Sequence, residues 1–419
     1  MNIIESRYLK SIEAVAAILL IIYPSAMFAV KGGMNASFLF LLLISLSVLI
    51  FRPREMSPVL WDANTKIFLF AMAALPAAIF ISQSYHQNYS SHPYDAASRF
   101  LLAVPIYMVL RRINFKVVTL VQYGLPLAAI VGCLMIKPIA LGRYGIATLD
   151  LIHFGNFELL LGVLSIASLN WAGHDATLIK TLKVTGLLAG MYASIMSGSR
   201  GGWIALPVFL LIFLYFKAGK ISFKILFITP MVLVMAGVFV YTLSEKVHHR
   251  IDEVTGDISE FRHGNSDTPT GIRFQLFQAA TVIALQNPIF GAGTEGFAAA
   301  MNAMQKNGTV TPMAAELGRG EVHNEFLSRA AGLGIFGVIA LLSIYLVPGR
   351  IFYCAMRTDA KKIRQAGMLG LIFVSGFMVF GLTAETLNLT MVTAFYSMTV
   401  AVLLAACLNL SEQVSPNTL

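Results

Sequence analysis

Charged residues are scarce in this chain: they make up 12% of its 419 residues, about half of the roughly one quarter found in soluble domains. Hydrophobic residues make up 57%, and the mean hydropathy is +0.74. This scarcity of charge excludes an ordinary water-soluble domain as the main part of the chain. The apolar residues occur in long runs, which is typical of a polytopic membrane protein.

Several chemical signatures are also missing. The three cysteines, Cys133, Cys354 and Cys407, are well separated and lack the spacing of a metal site or a disulfide framework, so we interpret them as packing residues. There is no DxD pair, P-loop, HExxH or GxSxG motif. The apolar runs contain no charged pairs of the kind found in proton-coupled transporters. If the protein acts on a phosphorylated lipid, arginines must replace a metal ion.

The apolar runs predict an all-α fold, because a membrane-spanning helix needs about 20 mostly apolar residues. We predict twelve transmembrane helices, at residues 11–30, 35–51, 65–83, 97–110, 117–136, 151–171, 178–197, 201–216, 222–243, 325–347, 366–383 and 390–409.

The net charge of +9 comes from short basic clusters between the apolar runs, a pattern that reports membrane orientation rather than nucleic-acid binding. The basic residues concentrate in alternate loops: Arg7 and Lys10; Arg52 and Arg54; Arg111, Arg112 and Lys116; Lys180 and Lys183; Lys217, Lys220 and Lys224; and Arg350, Arg357, Lys361, Lys362 and Arg364. Every second loop is therefore predicted to be cytoplasmic, with both termini on that side.

A polar segment of about eighty residues, from about Ser244 to Glu321, interrupts the apolar runs and is predicted on the non-cytoplasmic side. Within it, residues 272–288 have apolar positions at helical spacing and end in Asn-Pro, which predicts an amphipathic helix on or near the membrane. Residues 291–310 then predict a turn, a short helix and another turn. The expected organisation is helices one to nine in 1–243, a loop carrying active-site residues in 244–324, and helices ten to twelve in 325–419.

Two arginine motifs fall on the predicted outer side. Ser197 to Gly202 forms a tight polar turn in which Arg200 offers a guanidinium fork suited to phosphate oxygens, although an arginine in a plain helical hairpin would reach the membrane interface in the same way. Arg273 lies in the predicted first turn of the amphipathic helix, where a cation opposes the helix dipole. An anionic ligand would compensate, and so would lipid phosphates.

The third motif, Glu321 to Leu327, leads into the tenth helix. Its His323 can accept a proton from a hydroxyl near neutral pH, although a lone histidine at a helix mouth is often structural. Glu321 and Glu325 can also act as the base or orient His323. Arg143, in an earlier outer loop, either adds positive charge to the same surface or anchors to lipid headgroups.

Three stretches together resemble the O-antigen ligase family of bacterial inner membranes, which is grouped with O-antigen polymerases and bacterial O-oligosaccharyltransferases. They are SGSRGGWIALP (Ser197 to Pro207), TGIRFQLFQAA (Thr270 to Ala280) and VHNEFLSRAAGLGIFG (Val322 to Gly337). The resemblance implies a GT-C-like membrane fold, a multi-pass protein of the bacterial inner membrane and a periplasmic active site. The predicted topology agrees with it along nearly the whole chain.

The resemblance implies a glycosyltransferase that moves a glycan from undecaprenyl diphosphate to a sugar hydroxyl of lipid A-core, with inversion and without a metal or other cofactor. By motif, Arg200 and Arg273 would bind and stabilise the diphosphate, and His323 would orient or deprotonate the acceptor. Arg143, Asn324 and Glu325 are expected to bind substrate. The other expected partners are membrane lipids, and no nucleic acid is expected.

Three other functions stay open. An O-antigen polymerase uses the same donor, but the earlier outer loops are short here, which favours a ligase. An O-oligosaccharyltransferase usually carries further C-terminal sequence. A flippase or transporter of lipid-linked glycans would tend to show inverted repeats or interrupted helices.

Overall fold

The structure is a computed structural model that describes residues 3–51, 56–58, 61–140, 142–219, 252, 256–257, 259–261, 263 and 265–410. Its first half is a series of helices: α1 (Ile3–Ala29), α2 (Gly33–Phe51), α3 (Ala63–His86), α4 (His92–Leu110), α5 (Phe115–Val118), α6 (Val121–Leu134), α7 (Leu151–Ala167), α8 (Thr177–Ser197) and α9 (Ala205–Ala218). A short antiparallel hairpin, β1 (Lys137–Ala140) and β2 (Arg143–Gly145), stands between α6 and α7. A 3₁₀ turn, Gly201–Ile204, precedes α9.

The second half contains two kinds of helix. α10 (Pro269–Gln286), α11 (Thr294–Lys306) and α12 (Pro312–Gly318) are less apolar and are called the cover helices below. α13 (Glu325–Met356), α14 (Lys361–Phe380) and α15 (Thr390–Cys407) are long and apolar.

The helices agree with an all-α polytopic membrane protein. Within the described residues, nine helical segments are long and apolar enough to cross a membrane, and α7 is a shorter apolar helix. These segments, together with α4, overlap eleven of the twelve predicted helices. The remaining predicted helix, at 222–243, lies outside the described residues.

The core of the bundle is built around α15, in which 89% of the residues are buried. α15 packs against α4 and α14, and aromatic rings of Phe377, Phe395 and Tyr396 cluster between α14 and α15. By contrast, α2 exposes large apolar side chains such as Leu43 and Ile50. Apolar side chains on the bundle surface are what a lipid-facing helix requires.

The helix predicted at 272–288 is present as α10, which begins three residues earlier, at Pro269, and has Thr268 as N-cap. The contrast between an apolar and a polar face is weak in α10, and its contact with the membrane stays a prediction. Its apolar face packs against protein: Ile272, Leu276 and Ile283 belong to a second buried cluster that includes Met301 of α11 and Ala331 of α13. The predicted turn, helix and turn over 291–310 corresponds to α11 and its flanks. The cover helices therefore form a small layer with its own core.

α13 changes direction at Gly334, whose φ of 62° and ψ of −150° are not helical. Residues 288–293 pack into this break, where the backbone N–H groups of Ala292 and Ile335 donate to the carbonyls of Ala331 and Pro288, at 2.8 and 2.9 Å. A side chain at position 334 would collide with this loop, so the residue is glycine for both conformation and space. The first turns of α13 are thereby fastened to the loop that leaves α10.

The expectation of no charged pairs within the apolar runs was wrong for one pair, because Arg329 lies 2.7 Å from Glu325 inside the predicted helix 325–347. Other charged side chains are buried in or beside the runs. Lys183 of α8 is fully buried and its Nζ lies 2.9 Å from Oδ2 of Asp175, which also is buried. Glu158 is fully buried in α7, packed against Gly132. Lys183 was predicted as a basic loop residue, and the structure instead buries it within α8. Glu158 did not stand out in the sequence, because an isolated charge in a long apolar run leaves the hydropathy almost unchanged.

Candidate active site

The His323 motif precedes α13 and holds the histidine in an unusual backbone conformation. His323 has a φ of 60°, in the left-handed region that residues with side chains rarely adopt. Its Nδ1 lies 3.2 Å from Oε1 of Glu321, and both side chains are partly exposed, at 21% and 30%. Such strain at a partly exposed histidine paired with a carboxylate is frequent at functional sites.

Glu321 is surrounded by positive charge. Burial raises the pKa of Glu321, but the neighbouring His323 imidazole and the charge of His153 outweigh this effect, so the pKa lies below its usual value. Oε1 of Glu321 also accepts the backbone N–H of Glu385 at 3.0 Å. Glu321 is therefore a carboxylate at neutral pH, and it can orient and stabilise a protonated His323.

The segment 381–389, which joins α14 to α15, fixes the His323 motif from the other side. Oε1 of Glu385 accepts the backbone N–H of Val322 at 2.6 Å, and the backbone N–H of Glu325 donates to the carbonyl of Gly381 at 2.7 Å. Burial, together with the charge of Glu325, raises the pKa of Glu385 to about 7. Glu385, which titrates near neutral pH, thus binds the backbone of Val322, the residue that precedes His323.

Asn324 and Glu325, both predicted to bind substrate, make internal contacts. Asn324 is the N-cap of α13: its Oδ1 accepts the N–H of Leu327 at 3.0 Å and its Nδ2 donates to the carbonyl of Leu382 at 3.1 Å. Glu325 is fully buried, 2.7 Å from Arg329, and accepts the N–H of Leu387 at 2.8 Å. These bonds give both residues a structural role, and substrate contact stays a prediction.

Arg273 follows the first turn of α10 instead of lying within it. The helix begins at Pro269, and the hydroxyl of Thr268 accepts the N–H of Gly271 at 3.1 Å. The opposition to the helix dipole is therefore weaker than the sequence predicted, since the effect is concentrated in the first turn. Partial desolvation lowers the pKa of Arg273, and the charge of Glu321 opposes that shift. Arg273 thus belongs to the electrostatic surroundings of Glu321 and His323.

The Arg200 motif forms the tight turn that was predicted. α8 ends at Ser197, Gly198 adopts a φ of 67°, and the 3₁₀ turn starts at Gly201. Nε of Arg143, on β2, donates to the carbonyl of Ser197 at 2.8 Å, so the hairpin brings Arg143 to this turn. Arg200 is half-buried. Two arginines from separate elements therefore meet at one end of α8.

His153, near the start of α7, is a site residue that sequence reasoning missed. Its Nδ1 lies 2.5 Å from Oδ2 of Asp150, and its Nε2 lies 3.1 Å from the carbonyl of Glu385. Both ring nitrogens face oxygen acceptors, so both contacts are hydrogen bonds only when each nitrogen carries a proton. Asp150 is the N-cap of α7, and this capping pattern was the signal that could have identified the pair.

These contacts connect the arginine turn to the histidine motif. The hydroxyl of Ser199 donates to Oδ1 of Asn156 on α7, at 3.2 Å, and Gly201 packs closely against Thr383. Both chain neighbours of Arg200 thus touch the elements that carry His153 and Glu385. The predicted residues Arg143, Arg200, Arg273 and His323 therefore lie around one network of segments at the same end of the bundle.

A cavity of about 560 Å³ borders this network. It lies between α3, the start of α4, α11, the end of α12, the start of α13 and the segment 381–389. Glu321 and Val322 form part of its wall. A second cavity, of about 490 Å³, shares His92 and Gly293 with it.

No cluster of three or more His, Cys, Asp or Glu residues that could hold a metal ion is found in the part of the chain that the structure describes. The charged groups that the structure gathers at this end are guanidinium, imidazole and carboxylate groups.

Comparison with known proteins identifies the segment that contains all three motifs and the first part of α13. Residues 185–342 match the family model described as O-antigen ligase. The resemblance to the O-antigen ligase family is confirmed. This match covers Arg200, Arg273 and His323, the residues around which the network is built.

Two curated proteins are similar to the chain. An uncharacterized protein of Haemophilus influenzae is 27% identical over 288 residues, which cover 67% of this chain and 71% of that protein. An O-antigen ligase of Escherichia coli K12 is 23% identical over 134 residues, or 32% of this chain and 31% of that ligase. The O-antigen ligase match and the apolar helices support a multi-pass membrane glycosyltransferase of this general type.

Proposed function

We propose that the protein is an inverting, metal-independent glycosyltransferase of the bacterial inner membrane. It transfers a glycan from undecaprenyl diphosphate to a sugar hydroxyl of lipid A-core at the periplasmic face. The observation that carries the proposal is the pairing of His323 with Glu321 next to the arginine-bearing segments. A base and an anion-binding surface are the two components that such a transfer requires.

The histidine is the proposed base. Its Nδ1 lies 3.2 Å from Oε1 of Glu321. In the proposed mechanism the neutral ring carries its proton on Nδ1, which leaves the Nε2 lone pair available. Nε2 takes the proton from the acceptor hydroxyl as the hydroxyl oxygen forms a bond to the anomeric carbon of the donor. Glu321 stabilises the imidazolium that results, as the carboxylate of a catalytic triad does.

The arginines are the proposed binding site for the leaving group. As the new glycosidic bond forms, the bond between the anomeric carbon and the phosphate oxygen breaks, and its electron pair stays on undecaprenyl diphosphate. Arg200 and Arg273, with Arg143 at the turn, stabilise this charge by charge-assisted hydrogen bonds. Attack opposite to the departing diphosphate inverts the anomeric centre.

The test uses the purified protein, an undecaprenyl-diphosphate-linked glycan and two acceptors, lipid A-core and a second lipid-linked glycan, separated by gel. We expect the glycan to move to lipid A-core and the transfer to persist in EDTA. Extension of the lipid-linked glycan alone would instead make the protein a polymerase. Loss of transfer in EDTA, restored by a divalent ion, would contradict a metal-independent mechanism.

A further inference from the structure

The cavity of about 560 Å³ is lined by Glu321, the carboxylate partner of the proposed base, whereas His323 itself and the three arginines proposed to bind the diphosphate do not line it. Glu321 and Val322 line it, whereas Arg143, Arg200 and Arg273 are not among its lining residues. A ligand in this cavity therefore reaches the His323 motif from the side of α3 and α4. The volume of the cavity lies within the range of about 300–1,000 Å³ that is typical of small-molecule sites.

The charges of the cavity argue against a diphosphate as its occupant. Three carboxylates line it, those of Asp95, Glu321 and Glu385. They face Arg319 and Arg329, but Arg329 is already paired with Glu325 at 2.7 Å and donates to the carbonyl of Leu387 at 3.0 Å. The acidic side chains therefore balance the two arginines, and the cavity offers a phosphorylated group no excess of positive charge.

The remaining side chains suit a carbohydrate. Asp95, Asn388 and Arg319 supply donors and acceptors for hydroxyl groups. Phe297 and Leu75 supply apolar surface for the C–H faces of a sugar ring. An apolar surface with a few polar groups that fix orientation is the usual composition of a small-molecule site.

The second cavity extends the first one away from the His323 motif. It adjoins the first at His92 and Gly293, and it is lined by hydroxyl and amide groups of Ser82, Gln83 and Asn88. The two adjoining cavities together offer hydrogen-bonding groups to more than one sugar ring, so they match an oligosaccharide better than a single sugar.

We propose that the two adjoining cavities are the site for the acceptor oligosaccharide, with its terminal sugar in the larger cavity next to Glu321 and His323. The donor diphosphate binds to the arginines on the other side of the His323 motif. This proposal rests on the proposed function, and it divides the two substrates between two separate surfaces.

The test measures transfer at varied concentrations of acceptor and donor with the variants Asp95→Ala and Asn388→Ala. Each variant removes hydrogen bonds worth about a factor of ten. We expect the acceptor KM to rise about tenfold in each variant while the donor KM stays unchanged. Thr281→Ala, an exposed position on α10 whose hydroxyl bonds only within its own helix, is the control. An unchanged acceptor KM in both variants would overturn the proposal and leave the transfer reaction intact.

A binding measurement separates this proposal from the proposed function. The probe is the core oligosaccharide released from lipid A-core, titrated calorimetrically into the purified full-length protein in detergent. We expect binding to the wild-type protein, weakened about tenfold in Asn388→Ala, whether or not transfer is observed. Asp95→Asn, which keeps the shape of the side chain, replaces Asp95→Ala if the latter does not fold. Equal binding by wild-type protein and variants, or no binding by the wild type, would overturn the acceptor site.

Discussion

The two ends of α8 both carry buried or half-buried polar residues, but they differ in how many of the hydrogen-bonding groups of those residues already have a partner within the protein. Near the start of the helix, Nζ of Lys183 donates to Gln122, Ser168 and Asp175, at 2.8, 2.8 and 2.9 Å, and is fully buried. A lysine has three donors, so this cluster is complete. At the other end, Arg200 adjoins a network in which His323 and Glu321 stay partly exposed.

This difference separates a structural cluster from a functional one. A closed cluster has no donor left for a ligand, whereas the partly exposed pair at the other end can still bind one. Both clusters combine basic and acidic side chains, and the packing shows which of them is closed. The predictions below test this distinction, from the largest expected effect to the smallest.

The largest effect is expected at the open end, in the variants His323→Ala, Arg200→Ala and Arg273→Ala. His323→Ala removes the proposed base and should lower kcat by about a thousandfold, within the range of general-base catalysis. The arginine variants should lower transfer by about a hundredfold, as losses of groups that stabilise developing charge do. Gel-based transfer rates measure the effect. Arg350→Ala, an exposed arginine elsewhere on α13, is the control and should transfer normally. Normal transfer by the His323 variant would refute the assignment of the base.

At the closed end, Lys183→Met should lower stability rather than catalysis. It leaves Asp175 buried without its partner, a change that costs about 3–5 kcal/mol of unfolding free energy. Thermal unfolding in detergent measures the loss, and transfer per folded molecule should stay near the wild-type rate. The double variant Lys183→Met with Asp175→Asn should recover part of the stability. A loss of kcat equal to that of the arginine variants would erase the distinction between the two ends.

Glu385→Gln should change how stability depends on pH. Burial raises the pKa of Glu385 in the folded protein from 4.5 to about 7. The contribution of the protonated side chain to the free energy of unfolding is therefore fully present below about pH 4.5 and is lost as the pH rises through 7. Glutamine does not ionise, and the variant should therefore gain stability relative to the wild type between pH 5 and pH 8, by at most about 3 kcal/mol. Thermal unfolding at several pH values measures the gain. A constant difference across this range would contradict the titration.

His153→Asn should have the smallest effect. The variant loses one of the two contacts that join Asp150 to the segment 381–389, so kcat should fall about tenfold while the donor KM stays unchanged, because His153 positions the segment without touching the diphosphate. His174→Asn, an exposed histidine before α8, is the control. A rise of donor KM at constant kcat would instead place His153 in diphosphate binding.

The helices and the three motifs could be predicted from the sequence because each depends on local signals. The apolar runs set the helices, and Gly198 marks the turn before Arg200. The pairing of His153 with Glu385 could not be predicted, because the two residues are 232 positions apart and no local pattern connects them. Arg273 was placed one turn too early because the N-cap, Thr268, lies next to a proline that can begin the helix at its own position.

The break at Gly334 has a consequence for insertions and deletions. In a continuous helix, one inserted residue turns every residue beyond it by about 100°. In α13 the loop 288–293 is hydrogen-bonded to both sides of the break, so the turns that carry Glu325 and Arg329 take their orientation from the cover helices. A residue added to the membrane-spanning part of α13 would therefore rotate the apolar side chains that follow it, while His323 would keep facing Glu321.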